Sequence, residues 1–162
     1  MSDLIKKLRF DKHEMVLILN APPEFGKVAN ELKKTAEVDS SVGKKKIYPA
    51  MLCFVKTEND VAQTAIAIRN YLAEDALLWM VFPKKSSKKY KAEINRDSGW
   101  QPLGDDGFEP VSLIAIDDDW SALRFRKAEN IKTMTRRSSF AMSETGKKKT
   151  TNRAGSTPKK PE

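Results

Sequence analysis

The residues of this chain whose types and spacing could do chemistry fall into two groups. The first is Asn20, Lys56, Thr57, Lys84, Lys85, Ser86 and Ser87. These lie just past three apolar runs of strand length, so they are expected to gather where loops leave the carboxyl ends of parallel strands. Free amides at the start of a helix beginning at Thr57 would add partial positive charge there. Ammonium groups, hydroxyls and an amide in that arrangement suit a phosphate or a carboxylate. The same residues have a plainer use, in which Asn20 and Pro22 shape a turn, Thr57 and Ser87 cap helices, and the lysines stay solvated. The second group is Arg136, Arg137, Lys147, Lys148, Lys149, Arg153, Lys159 and Lys160. Such a run attracts polyanions by neutralising phosphates and releasing counterions, so its binding to RNA, DNA or an anionic membrane surface would be non-specific and steeply salt-dependent. It has no interleaved aromatics for base stacking. Its plainer use is as a solubilising tail.

Other chemistry finds less support. Asp117, Asp118 and Asp119 supply oxygen ligands of the kind Mg²⁺ or Ca²⁺ takes, but successive side chains in an extended turn point apart. A turn with a hydrogen-bonding Asp117 and a packing Trp120 is the expectation. Glu93 and Asp97, four apart on a predicted helix, read as a wet helix face. His13 stands alone before the first strand, and no Ser-His-Asp or Cys-His set can be assembled. The lone Cys53 lies inside an apolar run and reads as a small hydrophobe, which excludes an internal disulfide and a multi-cysteine metal site. No cofactor and no metal is assigned.

The elements that must position these residues follow from periodicity. Met15 to Leu19, Met51 to Val55 and Ala76 to Phe82 are uninterrupted apolar runs, the mark of parallel strands covered on both faces. Between the second and third, Val61, Ala65, Ile68 and Leu72 recur at helical spacing, and Thr57 with Asp60 resembles a capping box, which predicts a β-α-β unit. The segment from Glu24 to Lys34 predicts a shorter helix, Ala36 to Val42 a weak edge strand, and Ser86 or Ser87 the start of a helix with Tyr90 and Ile94 on one face. Glu109 to Ile116 and Ser121 to Lys127 predict an antiparallel hairpin at the edge of the sheet. Its exposed edge at Ala122 to Lys127 would carry Arg124, Arg126 and Lys127, charges that discourage pairing with a second copy, so a monomer is favoured.

Charge divides the chain. From Lys132 to the end there are nine Lys or Arg against two acids, a net charge of +7, whereas residues 1–131 hold 21 basic and 20 acidic residues. The expected organisation is therefore a nearly neutral α/β domain over residues 1–131 and a disordered basic tail over residues 132–162, in which Phe140 and Met142 are the candidates for a docking patch. The charged N-terminus has no signal-peptide core, and no stretch approaches membrane-spanning length, so a cytoplasmic protein is expected.

LLWMVFPKKSS, with VLILNAPPEF upstream and IAIDDDWSALRFRK downstream, resembles a family of small uncharacterised bacterial α/β proteins over roughly residues 14 to 127. The resemblance implies a Rossmann-like three-layer domain with a mainly parallel sheet ending in an antiparallel hairpin, and it brings no activity with it. The loop Asn20-Ala21-Pro22-Pro23-Glu24-Phe25-Gly26 invites comparison with dinucleotide-binding and methyltransferase folds, which cradle a cofactor on a Gly-rich loop after the first strand. Two prolines here remove amide donors, and only Gly26 would let the backbone approach closely. NAPPEF also resembles the Asn-Pro-Pro-aromatic motif of amino-methyltransferases, with Ala21 splitting the motif and Glu24 displacing Phe25. On balance the sequence favours a non-catalytic binding module for a small anion or a protein partner, whose tail adds weak polyanion affinity, nucleic acid included. The alternative is a minimal methyltransferase-like enzyme.

Overall fold

The three apolar runs form the inner strands of a six-stranded sheet. The computed structural model describes residues 2–131; the eight candidate polyanion residues lie outside the described residues. In chain order, a short helix α1 (Asp3–Lys7) and a 3-10 turn lead into β1 (Met15–Leu19). A second 3-10 turn (Pro23–Phe25) enters α2 (Gly26–Leu32), followed by β2 (Glu37–Asp39), β3 (Tyr48–Phe54), α3 (Glu58–Ile68) and β4 (Leu72–Pro83). The one-turn helix α4 (Gln101–Asp105), β5 (Phe108–Ala115) and β6 (Trp120–Lys127) complete the domain. The strand order is β2-β1-β3-β4-β6-β5, with the first four parallel and β6 antiparallel to both of its neighbours.

Alternation along the inner strands explains why their hydrophobicity is continuous. Val16, Ile18, Leu52, Trp79 and Val81 pack on one face with Ile5 and Leu8 near α1 and Leu32 of α2. Leu17, Met51, Cys53, Leu78 and Met80 pack on the other with Val61, Ala65 and Ile68 of α3 and Leu103 of α4. Both faces are thus covered by helices, the condition that parallel sheets require. Cys53 is fully buried and burial pushes its thiol up to about 12, so it packs as the small hydrophobe that its setting predicts.

α3 opens as its sequence dictates. The Thr57 hydroxyl accepts from the Asp60 amide at 3.0 Å, and the Asp60 carboxylate accepts from the Thr57 amide at 3.2 Å, a complete capping box. The helix ends at Ile68, however, and Leu72, expected on its buried face, opens β4 instead. The Tyr71 carbonyl is taken by the Tyr48 amide at 2.7 Å, which commits the chain to the sheet before another helical turn can close.

Two further expectations are corrected. Residues 84–99 form no helix, so Glu93 and Asp97 do not share a helix face. Ser87 Oγ does accept from the amides of Lys89 and Tyr90, as a cap would. Beyond it, the Glu93 amide is drawn to the Lys56 carbonyl at 2.8 Å, and Asn95 pairs with Ser98 in a tight turn closed by Gly99 at φ +100°. The predicted hairpin forms, but Ala122 to Lys127 is not its exposed edge. β6 is inserted between β4 and β5, and β5 is the outer strand. α1 was not anticipated. It is capped by Ser2, and the Leu8 carbonyl beyond it accepts from Trp79 Nε1 at 3.0 Å.

Candidate functional site

β1 is the point at which the strand order reverses, because the chain goes from it to β2 on one side and then crosses to β3 on the other. Loops leaving the carboxyl ends of β1 and β3 therefore diverge and leave a crevice, the place where open α/β sheets take ligands. A cavity of about 430 Å³ opens there, bounded by Asn20, Pro22, Phe54, Lys56, Tyr90 and Trp120. Asn20 holds the left-handed conformation at φ +60°, which Asn tolerates better than most side chains, and so turns the chain out of β1. The Pro22 carbonyl accepts from the Phe25 amide at 3.0 Å and the Pro23 carbonyl from the Gly26 amide, so the prolyl carbonyls close a 3-10 turn.

An aromatic ladder forms the floor and far wall. Phe25 meets Phe54 edge-on with centroids 5.1 Å apart, Phe54 meets Trp120 in the same way at 5.1 Å, and Tyr90 lies tilted on Trp120 at 4.7 Å. Such contacts add to simple area burial. Trp120 is brought to the crevice by its register opposite Pro83 and by Asp117, whose carboxylate accepts from the Asp119 and Trp120 amides at 2.8 and 2.9 Å. That is the hydrogen-bonded turn and packing tryptophan expected of the Asp117 segment. Among the described residues no group of three or more His, Cys, Asp or Glu is placed to hold a metal ion.

The polar groups of the crevice are few and specific. The Tyr90 hydroxyl donates to the Glu24 carboxylate, which holds that carboxyl below its ordinary range and pushes the phenol up to about 12. Lys56 and Lys89 place their ammonium groups 5.0 and 5.4 Å from the Tyr90 ring centre, and Lys89 also stands 3.7 Å from Glu24. Trp120 is 2% exposed, and its indole N–H acts on the Glu24 carboxylate, adding to Tyr90 and Lys89 in holding that carboxyl low.

Of the seven residues read as an anion site, Asn20 and Lys56 line this cavity. Thr57 caps α3, and the amides of Lys56 and Thr57 are taken by the Asp60 carboxylate. Lys84 donates its amide to the Asp119 carbonyl at 2.7 Å, and the Ser87 hydroxyl donates to the Asp119 carboxylate at 2.8 Å. These two tie the loop after β4 to the Asp117 turn, while Lys85 and Ser86 are exposed. His13 lies at the amino end of β1, opposite Asn20, and partial burial lowers its pKa. Sequence reasoning missed Tyr90 and Glu24 as crevice residues. They are 66 positions apart, and nothing local announces their bond.

No protein-family model matches the chain, and no curated protein matches it. Solved structures do. A protein provisionally assigned as a type 11 methyltransferase of Sulfolobus solfataricus matches with a TM-score of 0.51 at 9% identity, over 74% of this chain and 87% of that one. The shared fold is Rossmann-like. The N-methyltransferase NodS of Bradyrhizobium japonicum, in complex with S-adenosyl-L-homocysteine, matches with a TM-score of 0.48 at 10% identity over 76% and 85% of the two chains. The tRNA methyltransferase TrmK of B. subtilis matches with a TM-score of 0.45 at 8% identity over 88% and 74%. The expectation of a non-catalytic module for a small anion or a protein partner is corrected here, because the fold is the one shared with the Sulfolobus solfataricus protein. Among the described residues no helix is long and apolar enough to cross a membrane.

Proposed function

We propose that the chain is a minimal methyltransferase-like enzyme whose reaction takes place in the crevice at the carboxyl ends of β1 and β3. The observation that carries this reading is the position of the crevice at the reversal point of a Rossmann-like sheet. There it presents a carboxylate–phenol pair, an ammonium group and a buried indole N–H that acts on the same carboxylate. Its own groups suit a nucleophile that must shed a proton. The Glu24 carboxylate, ionised at neutral pH, accepts from Tyr90, and the Lys56 ammonium stands 5.0 Å from the Tyr90 ring centre. The small bacterial α/β family that this chain resembles is part of the same reading.

A methyl donor such as S-adenosylmethionine is what such a fold implies, and the loop after β1 does not fit the usual grip on it. Pro22 and Pro23 offer no amides, Phe25 is buried in the ladder, and Gly26 is the first residue of α2, where an added Cβ would meet nothing. Asp39, at the end of β2, is in the position of an acid that would take ribose hydroxyls, but it is engaged by the Tyr48 hydroxyl and by Lys46 at 2.9 Å. No step is therefore routed through the donor. The test is a thermal-shift titration of the full chain with S-adenosylmethionine and S-adenosylhomocysteine, followed by transfer of labelled methyl to small amines and RNA. A ligand that binds the native state raises the melting temperature, by an amount that Trp120→Phe should reduce. No shift together with no methyl transfer overturns the proposal.

A further inference from the structure

Alternation along β6 sets Arg124 and Arg126 on the same sheet face as Trp120 and Ala122, the face that α1 and α2 cover. Arg124 lies in register between Trp79 of β4 and Ser112 of β5, and Ser112 is exposed. The bond from Trp79 Nε1 to the Leu8 carbonyl fixes the segment after α1 against this region, and Arg9, held at φ +64°, follows immediately. Arg126 is satisfied by Asp75 through two bonds, of 3.1 and 2.7 Å. Arg124 is not: its Nε is buried without a hydrogen-bond partner. Burial, Arg9 and Arg126 all lower its pKa, in that order, and Asp75 is the one carboxylate acting the other way. A planar donor fork, half-buried with its Nε shut off from water and crowded by like charge, lacks the oxygen anion that a guanidinium is shaped to hold.

We propose that Arg124, Arg9 and Ser112 form a binding site for a phosphate group, with the Arg126–Asp75 pair keeping the neighbouring guanidinium in place. The site is independent of the crevice and of the reaction proposed there. A small phosphate compound and the backbone of a polynucleotide share this chemistry, and the two are separable by experiment.

The full chain is titrated with inorganic pyrophosphate, read by thermal shift, and with a labelled RNA oligonucleotide, read by fluorescence anisotropy across a salt series. Arg124→Met and the double variant Arg9→Gln/Arg124→Met serve as comparisons. Loss of an unshared charge-assisted contact is expected to weaken binding by about tenfold in Arg124→Met. For RNA, the slope of log affinity against log salt should fall by about 0.7 for each arginine removed. Stabilisation by pyrophosphate alone, lost in the variants, assigns a small phosphate compound; RNA binding lost in the variants assigns a polynucleotide. If neither ligand binds, or if both variants bind as the parent does, the proposal is overturned, the second result placing the affinity in the basic tail. Without ligand, Arg124→Met should melt no lower than the parent, because like-charge crowding is relieved. A lower melting temperature with unchanged affinity would make Arg124 a structural residue and likewise overturn the site.

Discussion

Trp120 and Arg124 stand four residues apart on one strand and one face, and each buries a side-chain nitrogen donor. Their surroundings differ in kind. Trp120 is gripped by Phe54 and Tyr90, so dispersion and apolar burial hold it, and its indole N–H acts on the Glu24 carboxylate. Arg124 has Arg9 and Arg126 for neighbours, and Asp75 is the carboxylate that acts on it. At the crevice end the donor is met within packing that would exist without a ligand. At the arginine end the unmet demand is the dominant feature, since Asp75 is already engaged by Arg126. An orphaned polar atom therefore points to a ligand most strongly where the packing around it is poor in compensation.

The largest expected effect breaks the crevice end. Trp120→Ala removes the centre of the ladder and leaves a cavity beside Phe54, and should cost about 3–5 kcal/mol in urea unfolding. A loss well under half of that would mean that Tyr90 and Phe25 collapse into the space and that the ladder is not what holds the loops. A smaller effect sharpens the arginine end. Asp75→Asn keeps a side chain that tolerates φ +49° but removes the carboxylate, and should cost about 0.5–1 kcal/mol, in keeping with a largely exposed pair. Its melting temperature should rise with added salt more steeply than the parent's, because screening then acts on an uncompensated trio. An identical salt response in both proteins would show that the three charges do not sense one another.

How much of this was legible depended on the range of the interaction that decides each element. The inner strands were readable because burial on both faces leaves a run such as Met51 to Val55 with no polar position, and α3 because Thr57 and Asp60 announce a cap within four residues. The segment after Pro83 was misread although Ser87 does behave as a cap. The bonds that prevent a helix there reach Lys56, Asp119 and Glu24, all distant in sequence. The insertion of β6 between β4 and β5 was hidden for a related reason: a hairpin looks the same from its sequence whichever of its strands faces the sheet. The seven residues read as an anion site follow the ends of β1, β3 and β4. Which of them face the crevice was settled by Asp60 and Asp119, which claim the amides and hydroxyls of that group for the loops themselves. Arg9 and Arg124 escaped notice because their proximity depends on Trp79 holding the Leu8 carbonyl across the sheet.

The smallest effect separates the two ends of β6 by pH. Arginine stays charged across the accessible range, so the three guanidiniums do not themselves titrate. The crevice end holds a titrating pair. Tyr90 lowers the Glu24 pKa in the folded state, so the stability this gives is fully present above the ordinary carboxyl value of 4.5 and is lost as pH falls through the lower folded value. Tyr90 is shifted the other way, with the Glu24 hydrogen bond as the first cause. Its contribution is present below the ordinary phenol value of 10.0 and is lost as pH rises toward about 12. Tyr90→Phe should therefore flatten the melting profile by lowering its neutral plateau toward the values at the two extremes, a small loss because the ring and its contact with Trp120 remain. Persistence of the acid limb in this variant would assign it to Glu24 acting through Lys89. A profile unchanged at both ends would show that Glu24 and Tyr90 do not meet in solution, and the crevice would then lack the carboxylate–phenol pair that the proposed reaction invokes.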